Sequence, residues 1–110
     1  MASIASFADV LDSISGISPL GWVFLAKGEV WSLRTKAAVL EMDDVPPEME
    51  DSPDAGIPDF AKENGLMPAI TVSDLQDVVE NIKEQFPGAN TGDYLRAFLF
   101  YYDNDAFMKL

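Results

Sequence analysis

The apolar positions at the start of the chain, Ile4, Phe7, Ala8, Leu11 and Ile14, recur at helical intervals. That spacing stacks side chains on one face of a short helix. Ser6, with Asp9 three residues on, forms a capping-box-like start, and Gly16 supplies a natural stop. The period then shortens. GWVFLA, residues 21–26, is rich in aromatic and β-branched residues and is followed by Lys27-Gly28, so it predicts a strand ending in a turn. Val30, Trp31 and Leu33 predict a second strand, and TKAAVLEM, residues 35–42, a third.

Regular structure should stop in MDDVPPEMEDSPDAGIPD, residues 42–59, because Pro46-Pro47 forbids a β-ladder and removes backbone donors. Order resumes at Pro58. PDFAKENG places proline at the first helical position and Gly65 at a C-terminal cap, giving a short helix with Phe60 and Ala61 turned inward. MPAITV, residues 67–72, predicts the next strand. Ser73 with Gln76 suggests a second capping box, and Leu75, Val78, Val79, Ile82 and Phe86 draw an apolar stripe along the best helix in the chain. Its outer face carries Asp77, Glu80, Asn81, Lys83, Glu84 and Gln85. FPGAN breaks that helix, and Asn90 or Thr91 can cap a last one whose inward positions are Tyr94, Leu95, Phe98, Tyr101 and Tyr102. AFMKL, at the end, reads as a helix tail or a closing strand. Helices and strands interleave without a βαβ repeat. The predicted fold is therefore α+β, a small, mostly antiparallel sheet with three to four helices packed on one face. Residues 1–110 are expected to form a single domain with an acidic, proline-rich loop at about 43–57.

Charge narrows the function classes. Nineteen acids against seven bases give a net charge of −12, which repels phosphate backbones and anionic membranes and attracts basic surfaces. Neither direct nucleic-acid binding nor a membrane partner is expected. The chain has no cysteine and no histidine, so thiolate chemistry, a serine–histidine triad and the usual zinc, iron and copper ligands are all excluded. A calcium loop needs oxygen ligands at alternate positions, a glycine at the sixth and a glutamate at the twelfth. Asp51, Asp54 and Gly56 do not keep that spacing, and DNDAF lacks the glycine. The glycines sit singly and form no phosphate cradle. No catalytic residue, metal or cofactor is predicted, and the chain is not read as an enzyme. MASIASFADVLDSISG lacks the basic start and unbroken apolar run of a secretory signal, and no segment approaches membrane-span length. A cytoplasmic protein is expected.

Two stretches remain as binding candidates. LRAFLFYYDNDAF, residues 95–107, holds five aromatics, more than one helix face can bury. Tyrosine beside Asp103 and Asp105 resembles the aromatic–acidic surfaces that anchor basic partners. The acidic loop is either a solvated connection or a steering surface, and its density of one charge sign favours steering. The partner-binding candidates are thus Asp43, Asp44, Glu48, Glu50, Asp51, Asp54, Tyr101, Tyr102, Asp103 and Asp105.

Several features resemble a known family. These are Pro58-Asp59-Phe60-Ala61 with Asn64-Gly65-Leu66, then Asn81 and Gln85 on the main helix. The ending from Ala97 through Tyr101-Tyr102-Asp103-Asn104-Asp105-Ala106-Phe107 completes the set. Together they resemble the small acidic immunity proteins of bacterial contact-dependent growth inhibition and related polymorphic toxin systems. The likeness covers about the second half of the chain and carries no signature of binding residues, so the interface is read from charge. It implies a non-enzymatic inhibitor of one cognate toxin domain, commonly a nuclease with a basic groove, acting as a monomer or weak homodimer. The alternatives are a small regulatory or homodimeric structural protein, and a nucleic-acid mimic that blocks many basic proteins.

Overall fold

The computed structural model describes residues 4–41 and 56–107. In chain order the elements are β1 (Ala5–Ser6), α1 (Phe7–Ser13), β2 (Trp22–Ala26), β3 (Lys36–Leu40), α2 (Asp59–Glu63), β4 (Leu66–Thr71), α3 (Val72–Gln85) and α4 (Thr91–Asn104). A 3₁₀ turn, Ile14–Gly16, follows α1. The strands form one antiparallel sheet in the order β1-β3-β2-β4, which is the predicted α+β class. No helix among the described residues is long and apolar enough to cross a membrane.

The central strands are covered on both faces. Val23 and Leu25 of β2, Ala37 and Val39 of β3, and Ile70 of β4 point into the main core with α1, α3 and α4. Phe24, Ala38 and Leu66 point the other way, where Ala61 and Phe60 of α2 meet them. Three helices thus form the predicted layer and the short α2 covers the opposite face. Both edges are blunt. β1 is two residues long, and β4 carries Pro68, which has no amide to offer a further strand. Ala69 has no residue opposite it, because the β2–β4 register shifts between Val23 and Phe24.

The caps explain where the helices begin. Ser6 Oγ accepts from the Asp9 amide, as predicted. Two further donors of the first turn of α1 are met from outside, Phe7 N–H by Thr35 O and Ala8 N–H by Leu33 O. On α3 the predicted Ser73–Gln76 box is not the one used. Thr71 Oγ1 caps the helix by accepting from Asp74 N, so α3 starts earlier and buries Val72. The Gln76 amide instead donates to Ile14 O and Ile17 O at 2.9 and 2.8 Å, tying the 3₁₀ turn to the helix. Asn90 caps α4 in a full box with Asp93.

Other expectations are corrected by tertiary packing. Val30, Trp31 and Leu33 do not form a strand; they lie in the connection between β2 and β3. There Val30 is 92% exposed. Trp31 turns to the helical layer, its indole N–H donating to Ala26 O at 2.7 Å. The apolar stripe of α3 stops at Ile82, and Phe86 lies beyond the helix end in extended backbone, exposed. Up to Phe107 the chain after α4 is neither helix nor strand.

Candidate functional site

The spacing of the acids on α3 places them together. Asp74, Asp77, Glu80 and Glu84 recur every three or four residues, opposite the buried Leu75, Val78, Val79 and Ile82, so one side of the helix is carboxylate and the other is core. α4 packs alongside with its C-terminal end near the start of α3. Tyr101 lies close to Asp74 and Asp77, while Lys83 near the end of α3 sits 5.4 Å from the Tyr94 ring centre.

What closes the surface is the turn after α4. Asp105 adopts the left-handed conformation, φ 51°, and its amide donates to Tyr101 O at 2.8 Å. This terminates the helix as a glycine usually would and sends the chain back. Phe107 then stacks on Tyr101, the ring centres 5.6 Å apart and the planes at 31°. The Phe107 ring forms one wall of an open trough of about 270 Å³, lined otherwise by Asp77, Glu80, Asn81 and Glu84. Asn81 is held by Gln85, whose amide donates to Asn81 Oδ1 at 2.8 Å. A second hollow of about 290 Å³, lined by Ile14, Ser15, Gln76, Val79, Glu80 and Lys83, shares only Glu80 with the first.

Among the described residues the ion pairs are Lys62–Asp59 and Arg96–Asp93, and Asp74, Asp77, Glu80, Glu84, Asp103 and Asp105 form none with a described base. Tyr101 registers that field. Burial, then the negative charges of Asp74, Asp105 and Asp77, hold its phenol above the ordinary tyrosine value, because each disfavours the phenolate.

The binding candidates read from sequence separate into three groups. Asp43, Asp44, Glu48, Glu50, Asp51 and Asp54 lie outside the described residues. Tyr101 and Asp105 join the acids of α3. Tyr102, one residue and about 100° further round the helix, turns to the opposite side. It packs against Trp31 at 4.9 Å and Phe98 at 5.9 Å while remaining 45% exposed, so it is only partly the inward residue predicted for α4. Asp103 is exposed beside it. The wall residues Asp77, Glu80, Glu84 and Phe107 were not among the sequence candidates. Their helical spacing on α3 was visible, but nothing local announces that Phe107 returns to meet them.

No group of three acidic, histidine or cysteine side chains among the described residues is placed to hold a metal ion. The arrangement is suited to holding a positively charged group against carboxylates and an aromatic ring. No curated protein and no solved structure matches the chain. A family match runs from residue 4 to residue 110, nearly the whole chain, and the chain therefore belongs to the family described as a domain of unknown function, DUF7716.

Proposed function

We propose that this chain is an immunity protein that binds and neutralises one cognate bacterial toxin domain, a nuclease with a basic substrate groove, in the cytoplasm and without catalysis of its own. The observation that carries the reading is the acidic face of α3 and the end of α4, whose carboxylates form no ion pair with a described base, bordered by the exposed ring of Phe107. A protein of net charge −12 draws a basic partner in by its field. Exposed aromatics beside the charges supply the desolvated contacts that slow dissociation. The likeness of the second half of the chain to immunity proteins of polymorphic toxin systems supports the same class.

The test is co-expression with the toxin domain encoded next to the gene. Growth should be restored with that toxin and not with unrelated ones. Continued arrest in cells that demonstrably accumulate the folded protein would refute the proposal. Capture of many unrelated basic proteins by the purified chain would point instead to a general nucleic-acid mimic.

A further inference from the structure

We infer that the β2–β3 connection, with the adjoining ring of Tyr102, is a second docking surface that seats an acidic segment of a partner protein carrying an apolar side chain between its carboxylates. Residues 27–36, KGEVWSLRTK, hold Lys27, Arg34 and Lys36 against Glu29 alone, while the rest of the chain has eighteen acids and four bases. The connection is a basic island on an acidic protein. It is also held in one shape, because the Trp31 indole N–H donates to Ala26 O, Ser32 N–H donates to Thr35 Oγ1 at 2.7 Å, and Arg34 N–H donates to Ser32 Oγ at 3.2 Å. Leu33 O and Thr35 O accept from the first turn of α1. A loop so fixed loses little freedom when it binds. At its tip Val30 stands 92% exposed, and next to it the half-buried Trp31 meets Tyr102 edge-on at 4.9 Å. Lys27 and Arg34 are exposed and form no ion pair with a described acid. Tryptophan, tyrosine and arginine are the residues in which binding energy concentrates, and a guanidinium takes a carboxylate in a two-pronged fork.

Charge complementarity selects among occupants. A second copy of this chain meeting the loop symmetrically would set Lys27 and Arg34 against their own equivalents. Nucleic acid and anionic lipid present extended arrays of charge, so either would bring phosphates against the acids outside the loop. A short acidic segment touches the island alone, since exposed charges further than about 8 Å away are largely screened at physiological salt. This surface is separate from the acidic one. Tyr101 packs on Phe107 toward α3 whereas Tyr102 packs on Trp31, so the two lie on opposite sides of α4.

The experiment titrates the isotopically labelled full chain, at physiological salt, with a short peptide of aspartates and glutamates around one leucine, with its asparagine–glutamine counterpart, and with a single-stranded oligothymidylate. The acidic peptide should move the Trp31 indole N–H, the amides from Val30 to Thr35 and that of Tyr102, and the other two should leave them in place. Arg34→Gln should weaken the acidic peptide by about fivefold, as for the loss of one exposed charge-assisted contact. Val30→Thr keeps the shape of the tip and should weaken it by about threefold through the apolar contact alone. Lys36→Gln removes an equal charge from the same segment, but Lys36 shares the sheet face of Ala38, opposite the main core, so binding should stay within about twofold. All three side chains are exposed, and unchanged melting curves show each variant to be folded. Equal weakening by Arg34→Gln and Lys36→Gln would overturn the docking surface, as would full affinity in Val30→Thr or no shift at millimolar peptide. Movement of the same resonances by oligothymidylate would overturn the choice of a protein occupant. None of these readouts involves a toxin, so the result holds whatever co-expression shows.

Discussion

Phe98→Ala removes the ring on which α1, the β2–β3 connection and α4 meet. Phe98 is fully buried. It meets Phe7 edge-on at 5.1 Å and lies 5.9 Å from both Trp31 and Tyr102. Truncating a buried phenylalanine costs about 3–5 kcal/mol, and the aromatic pairs lost with it, each worth about 0.5–1.5 kcal/mol beyond area, favour the upper half of that range. Tyr102→Ala is the internal comparison. Its ring touches the same cluster but keeps 45% of its exposure, so about half the burial is lost and the cost is about 1–2 kcal/mol. Domains of this size have about 5–15 kcal/mol in all, and both variants should still fold. With a urea slope of about 1.5 kcal/mol per M, Phe98→Ala should lower the unfolding midpoint by about 3 M and Tyr102→Ala by about 1 M. The assay is urea unfolding followed by far-ultraviolet circular dichroism, since tryptophan fluorescence would report the altered Trp31 contact directly. If Tyr102→Ala costs as much as Phe98→Ala, the packing described here is wrong.

Three further outcomes test the electrostatics. The Asp93 carboxyl lies below its ordinary value, held there by the Asn90 amide and then by Arg96. The charged form is thus favoured in the folded state, and its contribution, present above about pH 4, fades as pH falls through the lowered value. Asp93→Asn should flatten the acid side of a melting profile between about pH 5 and pH 2, and an unchanged slope would count against the cap. Tyr101 shifts the opposite way, so its contribution is intact below the ordinary tyrosine value of 10.0 and is lost as pH rises through the higher folded value. In an ultraviolet titration, Asp74→Asn or Asp77→Asn should bring Tyr101 part of the way down, because burial remains; no movement in either variant would show that the acids of α3 do not reach it. Finally, neutralising Asp43, Asp44, Glu48, Glu50, Asp51 and Asp54 to Asn or Gln should slow association with a cognate toxin several-fold at low salt, an effect that shrinks as salt is added. Unchanged rates would make that segment a solvated connection only.

The parts of this fold that were legible in the sequence are those decided within a few residues. The Ser6 cap, the β2 and β3 runs, the α2 segment and the buried face of α3 each rest on local spacing, and the structure places them there. The misreadings occur where two local solutions compete and distant packing chooses. Thr71 and Ser73 can each cap a helix. Burial of Val72 and the hold of Gln76 on Ile14 and Ile17 decide for Thr71. Trp31 fits a strand pattern by composition, yet its partners, Phe98 and Tyr102, lie at the far end of the chain. The acidic side of α3 could be read from its period. The trough could not, because it depends on a left-handed aspartate at 105, where a glycine would have signalled the turn.

The union of the first and last helices governs when the protein can act. The Thr91 hydroxyl donates to Asp12 across 79 residues of chain, and Phe7 faces Phe98 over a similar separation. At roughly 5–20 residues per second of synthesis, several seconds pass between the appearance of α1 and that of the helix it packs against. During that interval the apolar side of α1 has no permanent cover, and the end of α4 that carries the trough wall does not yet exist. A ribosome stalled before residue 98 releases a fragment with neither a closed core nor a complete docking surface. On the immunity reading, protection is then a property of completed chains alone, and a cell facing the toxin depends on protein already made rather than on messages still being translated.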